Sequence, residues 1–502
     1  MTQMPHVPLL SCELADEAAT VRFAQDIASA VLPRDVIALE GDLGAGKTAF
    51  SRALIRTLAN DPDLEVPSPT FSLMQPYAVR IPVRHFDLYR MGNPEELDEL
   101  GFFDDLDEAL TLIEWPARAS HELPQDRIIL QLDILAGERR QARLFVNDAQ
   151  HERFRRAIAA RQFLETVQYT NAERSHVQGD ASHRAYERVE SVGKPSAILM
   201  NAPETPAGEI IADGKSYADL VHRATDTKPF EAVGKLLLAT GLSAPNIYAA
   251  DHIDGFMLLE DLGGIGLLDK AGLPDKERYI TAIDTLAHLH DSAGEMSQSI
   301  TGVGGDYNVP KLDRTAFLTE VSLFAEWFVG NKKYTLNNDA KKSYLDIWSQ
   351  LFDQLEHAET GIILRDVHSP NLLWLEERQG ISRIGVLDFQ DALWGPQAYD
   401  LASLVFDARV TIGTELREEL IERYRQKRRR NLEDVRLNEH ISILAAQRTA
   451  KILGIFARLA NRDAKLSYLT HMPRNEAYLG ALLENSVLAP LAHWHEVHLP
   501  QS

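Results

Sequence analysis

The sequence holds a single cysteine, Cys12, among 502 residues. An intrachain disulfide is therefore impossible, and a thiolate metal site is not expected. Such cysteine poverty fits a reducing cytosol, so a cytoplasmic location is expected. No apolar run approaches the roughly 18 residues of a membrane helix, so no membrane span is expected. The first ten residues lack a basic segment followed by a long apolar stretch, and no secretory signal is expected there. Positive charge is in deficit: 52 Lys and Arg stand against 74 Asp and Glu, a formal net charge of −22. A chain of that charge is repelled by bare nucleic acid, so any contact with RNA needs a local basic patch or another protein.

What is present is ordinary for a globular chain: 45% apolar and 25% charged residues, which excludes a fibrous or broadly disordered class. The length suggests about three folding units. Residues 16–31 read as an amphipathic helix, VIALE (36–40) as a short buried strand, 41–46 as a loop and 47–59 as a helix. Strands are expected at 83–89 and 110–115, separated by an acidic helical stretch at 94–107. A hairpin is expected over 127–133 and 142–146, turning at Gly137, followed by a basic helix at 151–161. The pattern then restarts. Strands near 186–189, 197–200 and 256–260 and a helix at 229–240 precede a long helical remainder. This order predicts one domain over 1–155 and a second over 160–502, the latter with a sheet-rich part to about 260 and a helical part from 261.

GDLGAGKT (41–48) has the spacing G-x-x-x-x-G-K-[ST] between a strand and a helix. Gly41, Gly44 and Gly46 let the backbone bend, so that the N–H groups of a loop including Asp42 and Ala45 point at phosphate oxygens. The following helix adds the positive end of its dipole. Lys47 is placed to reach the outer phosphates and the Thr48 hydroxyl to ligate Mg²⁺, which makes ATP and Mg²⁺ the expected cofactors. Such a loop also needs acidic groups to hold the metal and orient water. Asp87 in HFDLYR (85–90) and Glu114 in IEWP (113–116) stand at strand ends and are the candidates.

GDLGAGKT, VPSPTF (66–71), HFDLYR and IEWP, in that order, resemble the TsaE family, and the likeness covers about residues 10–150. The resemblance implies an α/β P-loop ATPase with a central sheet. It would work with TsaB and TsaD in making threonylcarbamoyladenosine beside the anticodon of tRNAs, touching tRNA only indirectly. It also implies that Lys47 and Thr48 bind phosphate and Mg²⁺, and that Thr70 belongs to a switch-like loop. Asp87 and Glu114 would divide the metal-holding and water-orienting roles, in an order left open. Trp115 would lie beside the nucleotide or a partner surface.

A second constellation lies far downstream. LRDVHSPN (364–371) places Asp366 five residues before Asn371, and Asp388 follows an apolar strand in VLDFQ. Phosphoryl transfer needs a carboxylate to accept the nucleophile's proton and oxygen ligands for Mg²⁺. Asp366 suits the first role, Asn371 and Asp388 the second. Asp400 falls where such folds carry an acid that buttresses the catalytic loop. Upstream, GDASHRAYERV (179–189), with Ser182 and Arg184, fits a nucleotide-covering hairpin. LLEDLG (258–263), with Glu260 and Leu262, fits a hinge whose backbone pairs with adenine.

These residues resemble the aminoglycoside-phosphotransferase superfamily over about 160–490. GDAS-x-R-x-Y, ILM-x-AP and LLEDLG look most like its AmgK-type anomeric sugar kinases. The resemblance implies an α+β two-lobed, protein-kinase-like fold. It also implies ATP-dependent phosphorylation of the anomeric hydroxyl of an amino sugar, N-acetylmuramate or N-acetylglucosamine, in cell-wall recycling. Two departures stand out. Leu364 replaces the His of protein kinases. The strand at 196–201 lacks the lysine that pairs with the α/β-phosphates, with Lys194 lying before it and Arg184 or Lys215 as substitutes. That gap also unsettles Glu231 as a helix partner. A kinase for an aminoglycoside, choline or homoserine, or a degenerate nucleotide-binding regulatory module, therefore stays open. Asp391 and Trp394 are candidate sugar contacts.

Three further features read differently. RQKRRR (425–430) reads as a solvated helix end. The Arg-rich stretch 139–161 is a candidate contact for tRNA or TsaD. His493, His495 and His498 have metal-like spacing but read more simply as surface histidines.

Overall fold

A computed structural model describes residues 7–104, 106–179, 184–205, 208–212, 214–293, 299–302, 305–429 and 434–499. The chain forms two compact units, 1–202 with 248–261, and 203–247 with 262–502.

The first unit begins with β1 (Leu10–Leu14), α1 (Glu17–Ala28), β2 (Val36–Glu40), α2 (Lys47–Ala59), β3 (Met74–Tyr77), β4 (Val83–Asp87), α3 (Glu96–Glu99), β5 (Leu110–Glu114), β6 (Ile128–Ile134) and β7 (Arg140–Phe145). They make a seven-stranded sheet in the order β1-β7-β6-β2-β5-β4-β3. β2 runs parallel to β5 and β6, and β4 parallel to β5, while β1, β3 and β7 pair antiparallel at the flanks. Strands buried on both faces read as unbroken apolar runs, as VIALE and LTLIE do. Ligands of such sheets collect at the carboxyl ends of the parallel strands. The register sets Asp87 opposite Glu114, and Glu114 opposite Leu39, one residue before β2 ends. The two acidic candidates therefore meet where the glycine-rich loop leaves β2.

The acidic stretch forms only the short α3 rather than a helix over 94–107. The chain turns at Gly101, with φ of 63°, and drives Phe102 into a cluster with Phe86 and Leu97. The Arg84 guanidinium collects the carbonyls of Gly101, Phe102 and Asp104, which a continuing helix would have bonded internally.

α4 (Asp148–Thr166) is capped by an Asn147/Gln150 capping box. It runs unbroken through the position where the sequence suggested a division. Phe154 and Ala157 belong to the core of the first sheet. One to two turns on, Ala160, Phe163 and Leu164 join a second core with Val189, Leu199 and Leu258. That second core lies under a five-stranded sheet. Its strands are β8 (Glu173–Val177), β9 (Ala185–Glu190), β10 (Ala197–Asn201), and the strands Ile247–Asp251 and Phe256–Glu260.

The second unit is mostly helical. Two short antiparallel strand pairs, Thr360–Ile363 with Leu393–Pro396 and Leu372–Trp374 with Ile384–Val386, carry the catalytic-loop sequence between them. The long helix Asp434–Asp463 crosses the core beneath them. A Cβ at Gly454 would stand 2.4 Å from the backbone carbon of Leu323, so only glycine permits this close a crossing over the π-helical turn Phe324–Phe328. Aromatic side chains of Phe317, Tyr344, Trp348 and Trp494 fill the far end. Together the chain is an α/β domain followed by a kinase-like α+β domain. Among the described residues, no helix is long and apolar enough to cross a membrane.

Candidate functional site

The first site is the loop between β2 and α2. Gly41 has φ of 143°, and a Cβ there would meet the Leu132 carbonyl oxygen at 2.3 Å, so the loop cannot leave the sheet with any other residue. Gly46 occupies the N-cap of α2 with φ of 103°. Arg140 braces the loop, donating to the carbonyls of Ala45 at 3.2 Å and Gly44 at 3.1 Å.

Lys47 is nearly buried and folds back on its own loop, donating to the Gly41 and Asp42 carbonyls at 2.8 and 2.9 Å. Its ammonium sits 3.7 Å from the centroid of the Trp115 ring. Burial lowers the Lys47 pKa against the pull of Glu114, Asp87 and Asp42. The Thr48 hydroxyl donates to Glu114 Oε2 at 2.8 Å, and His85 Nε2 meets Oε1 of the same carboxylate at 2.9 Å. Asp87 Oδ2 accepts from Ser68 and Thr70 at 2.8 and 2.9 Å. Asp87 Oδ1 accepts from the Tyr89 N–H at 3.0 Å. Lys47, Thr48, Thr70, Asp87, Glu114 and Trp115 are thus one cluster. Hydroxyl and carboxylate oxygens are the hard donors that suit Mg²⁺. That ion keeps several waters and needs only one or two carboxylates beside substrate phosphates. Among the described residues, no ready group of three or more His, Cys, Asp or Glu exists, so a metal here would rely on that shared coordination.

Sequence reasoning left His85 and Ser68 without roles, and it counted Arg140 only within the Arg-rich stretch 139–161, not as a brace for the loop. His85 and Ser68 lie inside the quoted motifs, and the position of His85 two residues before Asp87, on the same face of β4, was the available signal.

The second cluster belongs to the second unit. The catalytic-loop backbone is pinned by two fully buried carboxylates. Asp400 accepts from the N–H groups of Leu364 and Arg365 at 2.7 and 2.9 Å, and Asp407 accepts from that of Ser369 at 2.7 Å. Asn371 Nδ2 donates to the Asp366 carbonyl at 2.9 Å and lies 3.4 Å from Asp388 Oδ2. Gln390 Nε2 donates to Asp388 Oδ1 at 2.8 Å. Asp388 itself has φ of 55°, a strained backbone for a non-glycine residue. Asp366, Asn371 and Asp388 are therefore brought together.

Two buried groups were missed. Arg448, on the helix Asp434–Asp463, donates to the Arg365 carbonyl at 2.8 Å and to Asp366 Oδ1 at 3.1 Å. Burial pushes the Asp366 carboxyl up, but Arg448, Lys451, His368 and Arg365 outweigh it and hold the group well below the usual carboxylate range. Glu320 receives Arg365, Lys451 and Gln447. Burial alone would raise its pKa, yet the two cations hold it down to about 2. Cations inside the apolar run ISILAAQRTAKILGIF were the visible signal.

The remaining candidates are scattered. Ser182 lies outside the described residues, and Arg184 immediately precedes β9. Glu260 ends a strand of the first unit and Leu262 opens the second unit. β10 reads AILMN and carries no cation, Lys194 approaches the Tyr169 ring, and Lys215 is exposed. Glu231 pairs with Lys235 one turn along its own helix. Asp391 accepts from the Ala224 N–H at 2.7 Å, and Trp394 lies in the strand opposite Ile362.

Two expectations, the solvated helix end at 425–430 and the surface His495, need correction. Arg428, within the basic run, is buried and bonds Asp291, Tyr424 and Gln397, so that end of the helix is an ion-paired anchor rather than solvated. In the stretch 139–161, Arg139, Arg143, Arg153, Arg155 and Arg161 pair with Glu13, Asp133, Asp35, Glu152 and Asp26. His495 is not a surface histidine. It packs on Phe324, and burial pushes its pKa down to about 4.

Comparison with known proteins follows the same division. Residues 14–143 match the family model "Threonylcarbamoyl adenosine biosynthesis protein TsaE", and residues 173–436 match the "Phosphotransferase enzyme family". An N-acetylmuramate/N-acetylglucosamine kinase of Caulobacter vibrioides is 33% identical over 358 residues, covering 69% of this chain and 97% of the relative. A tRNA threonylcarbamoyladenosine biosynthesis protein TsaE of Rickettsia felis is 37% identical over 138 residues, covering 27% and 80%. Among solved structures, choline kinase LicA from Streptococcus pneumoniae aligns with a TM-score of 0.43 at 12% identity, covering 64% of this chain and 98% of that one.

Proposed function

Because the chain belongs to the TsaE family through its N-terminal part and to the phosphotransferase enzyme family through the rest, we propose a bifunctional, ATP-using enzyme. Its first site is an ATPase supporting threonylcarbamoyladenosine modification of tRNA, with TsaB- and TsaD-type partners. Its second site transfers the γ-phosphoryl group of ATP to the anomeric hydroxyl of an amino sugar, N-acetylmuramate or N-acetylglucosamine. On this reading the second activity would serve cell-wall recycling in the cytoplasm.

In the first site the loop N–H groups and Lys47, released from the Gly41 and Asp42 carbonyls, take the triphosphate. Mg²⁺ neutralises charge on the phosphates when bound. The Thr48–Glu114 hydrogen bond supports Glu114 as the metal-side carboxylate, with His85 fixing its orientation. Asp87, held by Ser68 and Thr70, then orients the attacking water.

In the second site Asn371 and Asp388 would hold Mg²⁺, which would neutralise charge on the nucleotide's phosphates. Asp366 orients the sugar hydroxyl. A carboxylate kept this strongly ionised is a weak base, so it accepts the proton late, after the bond to phosphorus has largely formed. The observation that carries the reading is the convergence of Asp366, Asn371 and Asp388 on one backbone cradle braced by Asp400. Its test is ATP-dependent phosphorylation of the two sugars by the full chain, abolished by Asp366→Ala and retained by Lys47→Ala. Consumption of neither sugar would remove the substrate assignment. The bare strand β10 favours a second reading, a nucleotide-binding regulatory module. Tight ATP binding without transfer to any sugar, choline, homoserine or aminoglycoside would support that one.

A further inference from the structure

In the second unit, the helix Asp434–Asp463 carries a row of cations that starts at the catalytic loop. At about 100° per residue, Arg448, Lys451, Arg458 and Arg462 fall within an arc of about 80°. Arg448 and Lys451 are buried and engaged, Arg448 on Asp366 at 3.1 Å and Lys451 on Glu320 at 2.8 Å. Arg462, at the outer end, is held by Asp463, Nε to Oδ1 at 2.7 Å and Nη2 to Oδ2 at 3.0 Å. Arg458, between them, differs. Its guanidinium lies over the Tyr217 ring, 5.0 Å from the centroid. Its Nε is buried and has no hydrogen-bond partner among the described residues.

A half-buried guanidinium without a bonded carboxylate is unfavourable, and burial lowers the Arg458 pKa. Asp463 attracts it but is bonded to Arg462, while Arg462 and Arg223 repel it. An unbalanced charge of this kind near an active centre is a signature of ligand binding. Tyr217 ties it to the catalytic loop, because its hydroxyl feels Glu320, Lys451 and Arg365 as well as Arg458. Arg448 and Arg458 stand about 15 Å apart along the helix axis. Long helical side chains lean toward the N-terminus, so Arg458 leans toward Asp366 and the span shortens. A molecule that fits must bring a hydroxyl to Asp366 and an anion to Arg458. A guanidinium fork matches a carboxylate. Cationic acceptors such as choline or an aminoglycoside would be repelled by this row. N-acetylglucosamine has no charge to offer it. N-acetylmuramate carries a carboxylate on a ring substituent away from the anomeric hydroxyl.

We propose that Arg458 is a specificity-determining residue of the second site: it takes the carboxylate of an acidic amino sugar, so that N-acetylmuramate is preferred to N-acetylglucosamine. The proposal rests on the kinase reading above. It assigns the sugar's acidic substituent to the helix Asp434–Asp463, while the reacting hydroxyl belongs to the catalytic loop.

The test uses the full chain, its Arg458→Gln and Arg458→Lys variants, and both sugars at saturating ATP. The parent protein is expected to show the lower KM for N-acetylmuramate. Arg458→Gln should raise that KM about tenfold and leave the KM values for N-acetylglucosamine and ATP in place. Arg458→Lys, which keeps the charge but not the fork, should fall between. An equal or lower parent KM for N-acetylglucosamine would overturn the proposal, whatever the variants do. So would an unchanged N-acetylmuramate KM in Arg458→Gln, or equal rises for the two sugars, the mark of a merely structural arginine. If the parent protein phosphorylates neither sugar, the kinase reading fails separately. Calorimetric binding of the two sugars to the parent and to Arg458→Gln then decides. A loss confined to N-acetylmuramate upholds the assignment, and equal or absent binding overturns it.

Discussion

The two candidate sites are built from different materials. The P-loop site is built from backbone, hydroxyls and strand-end carboxylates: Thr48 on Glu114, Ser68 and Thr70 on Asp87. The catalytic-loop site is built on buried ion pairs: Arg448 on Asp366, Arg365 and Lys451 on Glu320. The first is a local device, assembled by the register of adjacent strands. The second depends on a helix 82 residues away in sequence to hold its central carboxylate. The second site should therefore be the more sensitive to substitutions remote from the reacting atoms, and to pH.

The largest expected effect separates the two directly. Asp366→Asn should lower the phosphotransfer kcat by about 10²–10⁴-fold while hydrolysis at the P-loop continues, as parallel steady-state assays would register. A matching loss in both activities would mean that the sites are not independent. Glu320→Gln should cost about 3–5 kcal/mol in denaturant unfolding, because Arg365 and Lys451 lose their buried counter-charge. A comparable loss from Thr48→Ala would erase the contrast between the materials.

Next in size is a pH effect. Arg448→Ala removes the foremost cation that holds Asp366 down, so the acid limb of the kcat–pH profile should move to higher pH. The hydrolysis profile at the P-loop should stay in place. The smallest effect concerns stability. His495 is held neutral, its pKa pushed down to about 4 by burial from an ordinary 6.5. Its contribution is complete above 6.5 and drains away as the pH falls toward 4, because the unfolded chain binds the proton first. His495→Phe should flatten thermal stability between those pH values, and an unchanged slope there would assign the acid sensitivity elsewhere.

The contrast also explains what could be read in advance. GDLGAGKT and its flanking strand and helix were legible because glycine spacing, apolar run and helical period lie within 24 residues or so of one another, and local rules govern them. Asp87 and Glu114 were legible as strand ends. The flanking strands β1 and β3 were not. LSCEL and MQPY are short, and pairing at a sheet edge gives them order that propensity does not. The acidic stretch misread as a long helix turned on Phe102 and Arg84, a tertiary override of local preference. In the second site the loop itself was legible. Arg448 and Glu320 were not, since nothing in a helical period reveals which distant carboxylate a buried cation will meet. α4 hid its role similarly: its capping box and period announce a helix, not that it serves two cores.

The most direct test is the binding stoichiometry of a non-hydrolysable ATP analogue with Mg²⁺, measured by titration calorimetry on the full chain. The account predicts two sites per chain, with Lys47→Ala and Asp388→Asn each removing a different one. A single site per chain, lost in either variant alone, would contradict it.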